Sequence, residues 1–163
     1  MSATLESLQI RVVKLAARRL GARVARSGQT VPIGRLGESG DVGFHIVGDQ
    51  FNGSAYYPNL VPANGALNAY PFPPNTPTLP DAGGAWGQLE WEWADAASKG
   101  KTVDNVIIDL LQYPASSNLR PDLFSVSFSI NRRRFEFDLQ NNSRQPRLPA
   151  EQNQAIQAAI GGT

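Results

Sequence analysis

The stretch DVGFHIVGDQFNGSAYYPNLVPANGALN, from Asp41 to Asn68, organises this chain. It contains the only histidine, His45, in a short apolar run, FHIV, which predicts a strand. A glycine-containing turn follows, and then a second short strand, NLVP, with asparagines at positions 64 and 68. An imidazole on one strand and an amide oxygen just past the next form the simplest layout for one-metal phosphodiester hydrolysis.

The composition bounds the class of protein. The 163 residues are enough for one domain with a hydrophobic core, and 41% hydrophobic and 18% charged residues are ordinary for a globular protein. Twelve prolines and fifteen glycines indicate many turns and a loop-rich α+β fold. The chain has no cysteine, which excludes disulfides and thiolate metal sites.

The charge is distributed unevenly along the chain. Residues 1–35 contain seven Lys/Arg and one acid, for a net charge of +6, whereas residues 36–163 have a net charge of −5. Binding of a polyanion by the second part must therefore rely on local basic patches. No apolar run approaches the ~18 residues of a membrane span, so we expect no membrane partner. The N-terminus does not have the pattern of a secretory signal peptide.

The N-terminal segment predicts a helix over residues 4–26. Leu5, Leu8, Val12 and Leu15 recur at helical spacing, and arginines and lysine cover the remaining positions. The basic face has two interpretations: it steers phosphate groups, or it is the solvated side of a packing helix.

The rest of the chain predicts a proline-rich surface insertion, a long helix, three strands and a terminal helix. Five prolines in Tyr70–Gly84 exclude a regular helix or central strand there. Trp86, Leu89, Trp93 and Ala97 form one apolar helical face, with Glu90 and Glu92 directed elsewhere. The predicted elements are the helices Ala85–Ser98 and Ala150–Ile160 and the strands Val103–Tyr113, Leu123–Ile130 and Arg134–Leu139, the last two joined by a turn at Asn131–Arg133.

Four pieces of the sequence occur in an order that resembles a known family. They are HIVGDQFNGS preceded by Asp41 and Gly43, NLVPANGALN, WGQLEWEW and NLRPDLFSVSFSI. This pattern, over residues 35–140, is similar to the DNA/RNA non-specific endonucleases of the ββα-metal (His-Me finger) type, especially the nuclease domains of secreted bacterial polymorphic toxins. The resemblance implies an α+β fold: an antiparallel sheet with the ββα motif on one side and flanking helices.

The resemblance also implies a site. His45 would take a proton from the attacking water, Asn68 would bind a single Mg²⁺ or Mn²⁺ ion, and Glu90 would orient the metal shell. Asn64 is the substitute for Asn68, because the choice rests on counting nine residues from Asn59.

Further residues would support this site or bind substrate. Asn59 would fix the loop around it, and Asp41, which matches the family pattern, would support the site. Arg120 would either clamp a phosphate or hold its strand structurally, and Arg132, Arg133 and Arg134 would contact a nucleic-acid backbone, unless they are only a polar tip.

The implied function is metal-dependent hydrolysis of DNA, with RNA as a further substrate, by a secreted or delivered toxin domain. The expected division is a basic helix at 1–28, which would link to a longer toxin, and a nuclease domain at 29–163 with the insertion at 70–84. A cognate immunity protein would be its partner. Phe44 departs from the family, which usually has glycine before the histidine, so the alternative is an inactive relative that acts as a binding or structural module.

Overall fold

The computed structural model describes most of the chain as two antiparallel sheets and three helices. It covers residues 6–14, 30–48, 51, 53, 59–67, 84–112, 119–142 and 148–161. The elements in order are β1 (Glu6–Lys14), α1 (Thr30–Gly34), β2 (Asp41–His45), β3 (Leu60–Asn64), α2 (Ala85–Ser98), β4 (Val103–Gln112), β5 (Leu123–Ile130), β6 (Arg133–Gln140) and α3 (Ala150–Gly161). The α+β class is confirmed. The described strands form two sheets rather than the single sheet that we predicted: β1-β4-β5-β6, and β2-β3.

The N-terminal helix prediction is wrong for residues 6–14. This segment is the strand β1, which pairs antiparallel with β4 in a register that joins Leu8 to Leu110, Ile10 to Ile108 and Val12 to Val106. Leu8, Ile10 and Val12 also alternate with the polar residues Ser7, Gln9 and Arg11, and Ile10, Val12 and Val13 are β-branched. Pairing with β4 decides between these two patterns. The predicted helix beyond Lys14, and most of the proline-rich insertion, lie outside the described residues.

Aromatic residues fill the core between α2 and the four-stranded sheet. Trp86 and Trp93 on α2 are fully buried; the Trp86 ring centroid lies 5.6 Å from that of Phe124, and the Trp93 centroid 5.3 Å from that of Phe128. Phe44 of β2 packs in the same layer, 5.1 Å from both Trp86 and Phe124. The core therefore holds the β2-β3 sheet and α2 against one face of the larger sheet.

The turn between β5 and β6 has the geometry of a two-residue hairpin. Asn131 and Arg132 both have positive φ, 47° and 71°, as a type I′ turn requires. Asn131 tolerates this conformation well, and its side-chain oxygen accepts a hydrogen bond from the backbone N–H of Thr102 at 3.1 Å. This arrangement presents three consecutive arginines at one end of the sheet.

Candidate active site

His45 is the last residue of β2 and lies opposite Leu60 of β3. Its neighbours Phe44 and Ile46 are fully buried, whereas His45 is partly exposed. Successive strand residues point to opposite faces, so the imidazole is directed away from the core that Phe44 fills. The phenylalanine at this position is therefore a core residue, and its bulk does not enter the space in front of His45.

Asn59 holds the backbone just beyond the histidine. Its side-chain oxygen accepts a hydrogen bond from Val47 N–H, and its side-chain nitrogen donates to the Val47 carbonyl, both at 2.9 Å. The Asn59 backbone carbonyl also accepts from Ile46 N–H at 2.9 Å. A buried amide thus continues the β2-β3 ladder past the end of β2. Each such bond contributes about 0.5–1.5 kcal/mol, so the position of the chain after His45 is well defined.

Glu90 of α2 reaches the same segment. It is only 6% exposed, and its carboxyl group lies directly over the backbone of Gly48, three residues after His45. A Cβ atom built on Gly48 would overlap Glu90 Oε1 and lie 3.1 Å from its Cδ. A larger residue at position 48 would require the Glu90 side chain to shift. Sequence reasoning missed Gly48, although a glycine directly after the apolar run FHIV was the available signal.

Asn64 is occupied in a turn. Its side-chain oxygen accepts a hydrogen bond from Ala66 N–H at 3.0 Å, and its own N–H donates to Asn141 Oδ1 at 2.8 Å. These are the contacts of a turn-capping residue. Asn68, the predicted metal ligand, lies outside the described residues, so its role stays a prediction. Within the described ranges, no group of three or more His, Cys, Asp or Glu side chains could hold a metal ion.

Arg120 is buried in an ion pair with Asp41. Its Nε donates to Asp41 Oδ2 at 2.7 Å and a terminal nitrogen donates to the Asn141 carbonyl at 2.6 Å, while the side chain is 7% exposed. Asp41 also accepts from Glu38 N–H at 2.8 Å. Of the two roles predicted for Arg120, these contacts match the structural one, because little of the guanidinium surface is accessible to a phosphate. Removal of one partner of a buried ion pair costs about 3–5 kcal/mol.

The structure does not bring the hairpin arginines to Arg120. The eight residues of β5 separate them, a length of roughly 25 Å at ~3.3 Å per residue. Arg132, Arg133 and Arg134 are all exposed. The Arg133 guanidinium carbon lies 5.5 Å from the centroid of the Phe135 ring, and Arg134 donates to Ser127 Oγ at 3.1 Å. The tip is therefore a basic surface of its own.

A second buried carboxyl group lies two residues along α2 from Glu90. Glu92 is fully buried, contrary to its predicted place off the apolar face, and its Oε1 accepts a hydrogen bond from Gln157 of α3 at 2.6 Å. Burial raises the pKa of the Glu92 carboxyl above its ordinary value of 4.5, and the bond from Gln157 partly opposes this shift. Glu92 thus links α2 to α3, while Glu90 lies against the backbone that follows β2.

Part of the chain is similar to a protein of a bacterial secretion system. No family model matches the chain. The chain is 33% identical over 91 residues to the type VII secretion system protein EssD of Staphylococcus aureus, in strains USA300 and NCTC 8325. The match includes 56% of this chain but 13% of the length of those relatives, so the similarity concerns a small part of EssD. In the part of the chain that the structure describes, no helix is both long and apolar enough to cross a membrane.

Proposed function

We propose that this chain is a metal-dependent, non-specific endonuclease that hydrolyses DNA, with RNA as a further substrate. One observation carries the proposal: Glu90 of α2 lies over Gly48, three residues after the strand that ends in His45. The order β2-β3-α2 supports a ββα-metal motif, and a partly exposed histidine followed three residues later by backbone that a buried carboxyl group covers supports hydrolysis of a phosphodiester.

His45 would act as the general base. An imidazole ordinarily titrates near pH ~6.5 and can accept a proton from water at neutral pH. The bonds from Asn59 to Val47 restrict the chain after His45 and so limit the positions that the imidazole can take. A base held in this way contributes typically ~10²–10⁴-fold to the rate.

The proposed cofactor is a single hard cation. We propose that the Asn68 amide oxygen holds Mg²⁺ or Mn²⁺ and that Glu90 orients the shell around the ion, because oxygen donors are the ligands that these ions prefer. When bound, the ion would supply Lewis-acid stabilisation of the charge that develops on the phosphate.

Substrate contacts would be made without reading sequence. The exposed arginines at 132–134 supply a local basic patch on a part of the chain whose net charge is −5. Arginines at such a tip contact phosphates and carry no base specificity by themselves. We therefore propose low sequence specificity.

The biological role that we propose is that of a toxin domain delivered by a specialised secretion system. The similarity to a part of the type VII secretion system protein EssD supports this context. A nuclease toxin would require a neutralising immunity protein in the cell that produces it, and we propose such a protein as the partner.

A plasmid-nicking assay with and without EDTA tests the proposal. We expect cleavage with Mg²⁺ or Mn²⁺, none in excess EDTA, and a turnover at least ~10²-fold lower for His45→Ala. Circular dichroism provides the control that the variant is folded. A folded His45→Ala variant that cuts normally removes His45 from the mechanism. DNA binding without cleavage under every metal condition would instead identify an inactive binding module.

A further inference from the structure

The turn between β5 and β6 holds an arginine in a backbone conformation that favours glycine. Arg132 has a φ of 71° at the second position of the type I′ turn, where glycine is the usual residue. A positive φ is disfavoured for a side chain as large as that of arginine, and residues in such conformations cluster at functional sites. The side chain of Arg132 is therefore the feature of this turn that calls for a functional explanation.

The turn is anchored to the end of α2. Asn131 N–H donates a hydrogen bond to the Thr102 carbonyl at 3.0 Å, and Asn131 Oδ1 accepts one from Thr102 N–H at 3.1 Å. The preceding residue, Lys101, donates its backbone N–H to the Ala96 carbonyl of α2 at 2.9 Å. Glu90 precedes Ala96 by six residues, about 9 Å along the helix axis. The turn is therefore held in a fixed place, beyond the end of the helix that carries Glu90.

Arg133 lies on the face of the large sheet that packs against α2. Its guanidinium carbon is 5.5 Å from the centroid of the Phe135 ring, two residues along the same face of β6. The Phe135 ring stacks on that of Phe128 at 5.2 Å, and the Phe128 ring lies 5.3 Å from that of Trp93 on α2. The β2-β3 sheet, which contains His45, packs against this same face. The exposed charge of Arg133 thus lies on the side of the sheet that carries the candidate active site.

Arg134 lies on the opposite face of β6, because successive strand residues point to opposite faces. It donates a hydrogen bond to Ser127 Oγ at 3.1 Å, and its Nε lies 3.8 Å from Glu136 Oε2. A carboxylate beside a guanidinium group weakens its attraction for a phosphate. The positive charge that the tip presents on the α2 side therefore comes from Arg132 and Arg133.

We propose that Arg132 and Arg133 form a phosphate-binding subsite for the nucleic-acid strand, apart from the bond that is cut, and that Arg134 is not part of it. The inference rests on the proposed function, which supplies the nucleic acid as the occupant. A guanidinium group binds phosphate oxygens through paired hydrogen bonds, and these contacts read no base sequence. The anchored turn and the Phe135 ring limit the freedom that the two side chains lose on binding. The strained conformation of Arg132 persists because the glycine that would relieve it cannot bind a phosphate.

The test measures binding of a duplex DNA to the full chain by fluorescence anisotropy at several salt concentrations. His45→Ala is the background and EDTA is present, so neither cleavage nor a divalent ion contributes. Arg132→Gly gives the turn the Asn-Gly pair that type I′ turns prefer. We expect its Tm to rise by about 2–4 °C while the Kd rises at least ~5-fold. The slope of log Kd against log salt should fall by ~0.9, the value for one lost phosphate contact.

Three further variants separate direct contact from a change in net charge. Arg133→Gln leaves the turn unaltered, and we expect the same loss of affinity and of salt dependence as for Arg132→Gly. Arg134→Gln should have a smaller effect than either. Arg35→Gln is the matched control, because Arg35 is an exposed arginine outside the tip. We expect its Kd to stay within about 2-fold of the parent, with an unchanged slope.

Each outcome supports or overturns the subsite. An Arg132→Gly variant that is more stable and binds as tightly as the parent overturns it, and so does a variant that is both less stable and weaker in binding, since the arginine would then be a structural part of the turn. An equal loss of affinity in Arg134→Gln or Arg35→Gln overturns it as well, because only net charge would matter. If Arg132→Gly does not fold, Arg133→Gln decides by the same criteria.

The subsite and the nuclease fail in different ways. A parent protein that binds DNA but does not cut it with any metal overturns the proposed nuclease function and leaves the subsite standing. A parent that cuts plasmid DNA, with tip variants that bind as tightly as the parent, overturns the subsite alone.

Discussion

Replacing Gly48 with alanine should displace the Glu90 carboxyl group. The added Cβ would overlap Oε1 and lie 3.1 Å from Cδ. Because nonbonded carbons attract at ~3.5–4.0 Å, Cδ would have to move by roughly half to one ångström, and Oε1 by more. Glu90 is buried, so it has little room in which to move.

Two effects of different size follow from this displacement. Overpacking of a buried position costs about 1–3 kcal/mol of stability, which lowers Tm without unfolding the protein at room temperature. A misplacement of about 1 Å in a group that orients the site costs on the order of 10²-fold in rate. We therefore expect Gly48→Ala to be folded and to nick plasmid DNA ~10²-fold more slowly than the parent.

The assay is plasmid nicking at saturating Mg²⁺ under single-turnover conditions, with thermal unfolding measured in parallel. Gly161→Ala is the matched control, because a Cβ there meets no atom within 4 Å. A double-mutant cycle with Glu90→Ala isolates the mechanism, since the rate penalty of Gly48→Ala should largely vanish when there is no carboxyl group to displace.

Two results would refute this reasoning. Full activity of Gly48→Ala at an unchanged Tm would mean that the carboxyl group moves at no cost or is not needed. An equal rate penalty in the parent and in the Glu90→Ala background would mean that the alanine acts on the backbone around position 48 rather than on the Glu90 carboxyl group.

Three further predictions concern the metal ligand, the basic tip and the buried carboxyl group between the helices. Asn68→Ala should weaken metal dependence and activity more than Asn64→Ala does, as measured by Mg²⁺ titration of the nicking rate. The reverse order of effects would mean that counting nine residues from Asn59 selects the wrong asparagine. Replacing Arg132–Arg134 with serine in a His45→Ala background should lower DNA affinity similarly for all sequences and reduce the slope of log Kd against log salt by ~0.9 per lost phosphate contact; an unchanged slope would make the tip a solvated turn. Glu92→Gln should increase stability relative to the parent, and by more as the pH rises. Folding raises the pKa of Glu92. The stability that its protonated carboxyl group contributes is therefore fully present below pH 4.5, and it is lost as the pH rises through the folded-state pKa. The loss is about 1.4 kcal/mol for each pH unit by which folding raises the pKa. The variant and parent should therefore have similar Tm values at pH 4 and differ at pH 7, whereas a difference that does not change with pH would contradict an elevated pKa.

Much of the fold follows from local pattern. The helix at Ala85–Ser98 and the strand at Leu123–Ile130 have the predicted bounds, because the apolar spacing in each identifies one buried face and turn residues mark the ends. The apolar run FHIV, followed by a glycine, predicts a strand over residues 44–47, whereas β2 spans Asp41–His45, so the two coincide only at Phe44 and His45. In these segments the residues that decide the structure are neighbours in the sequence.

The tertiary structure decided what depends on distant partners. Residues 6–14 have both helical and strand periodicity, and pairing with β4, about 100 positions later, selects the strand. Arg120 lies 79 positions from Asp41, and Asn141 lies 77 positions from Asn64, so neither bond has a local signature. The contact of Glu90 with Gly48 belongs to the same class. The sequence alone determined which residue types are present for the chemistry and on which elements they lie. Their juxtaposition, and the buried links that hold them, arise only when packing of the core brings α2, the β2-β3 sheet and the end of β6 together, because that packing provides the free energy to bury polar groups that would otherwise remain in water.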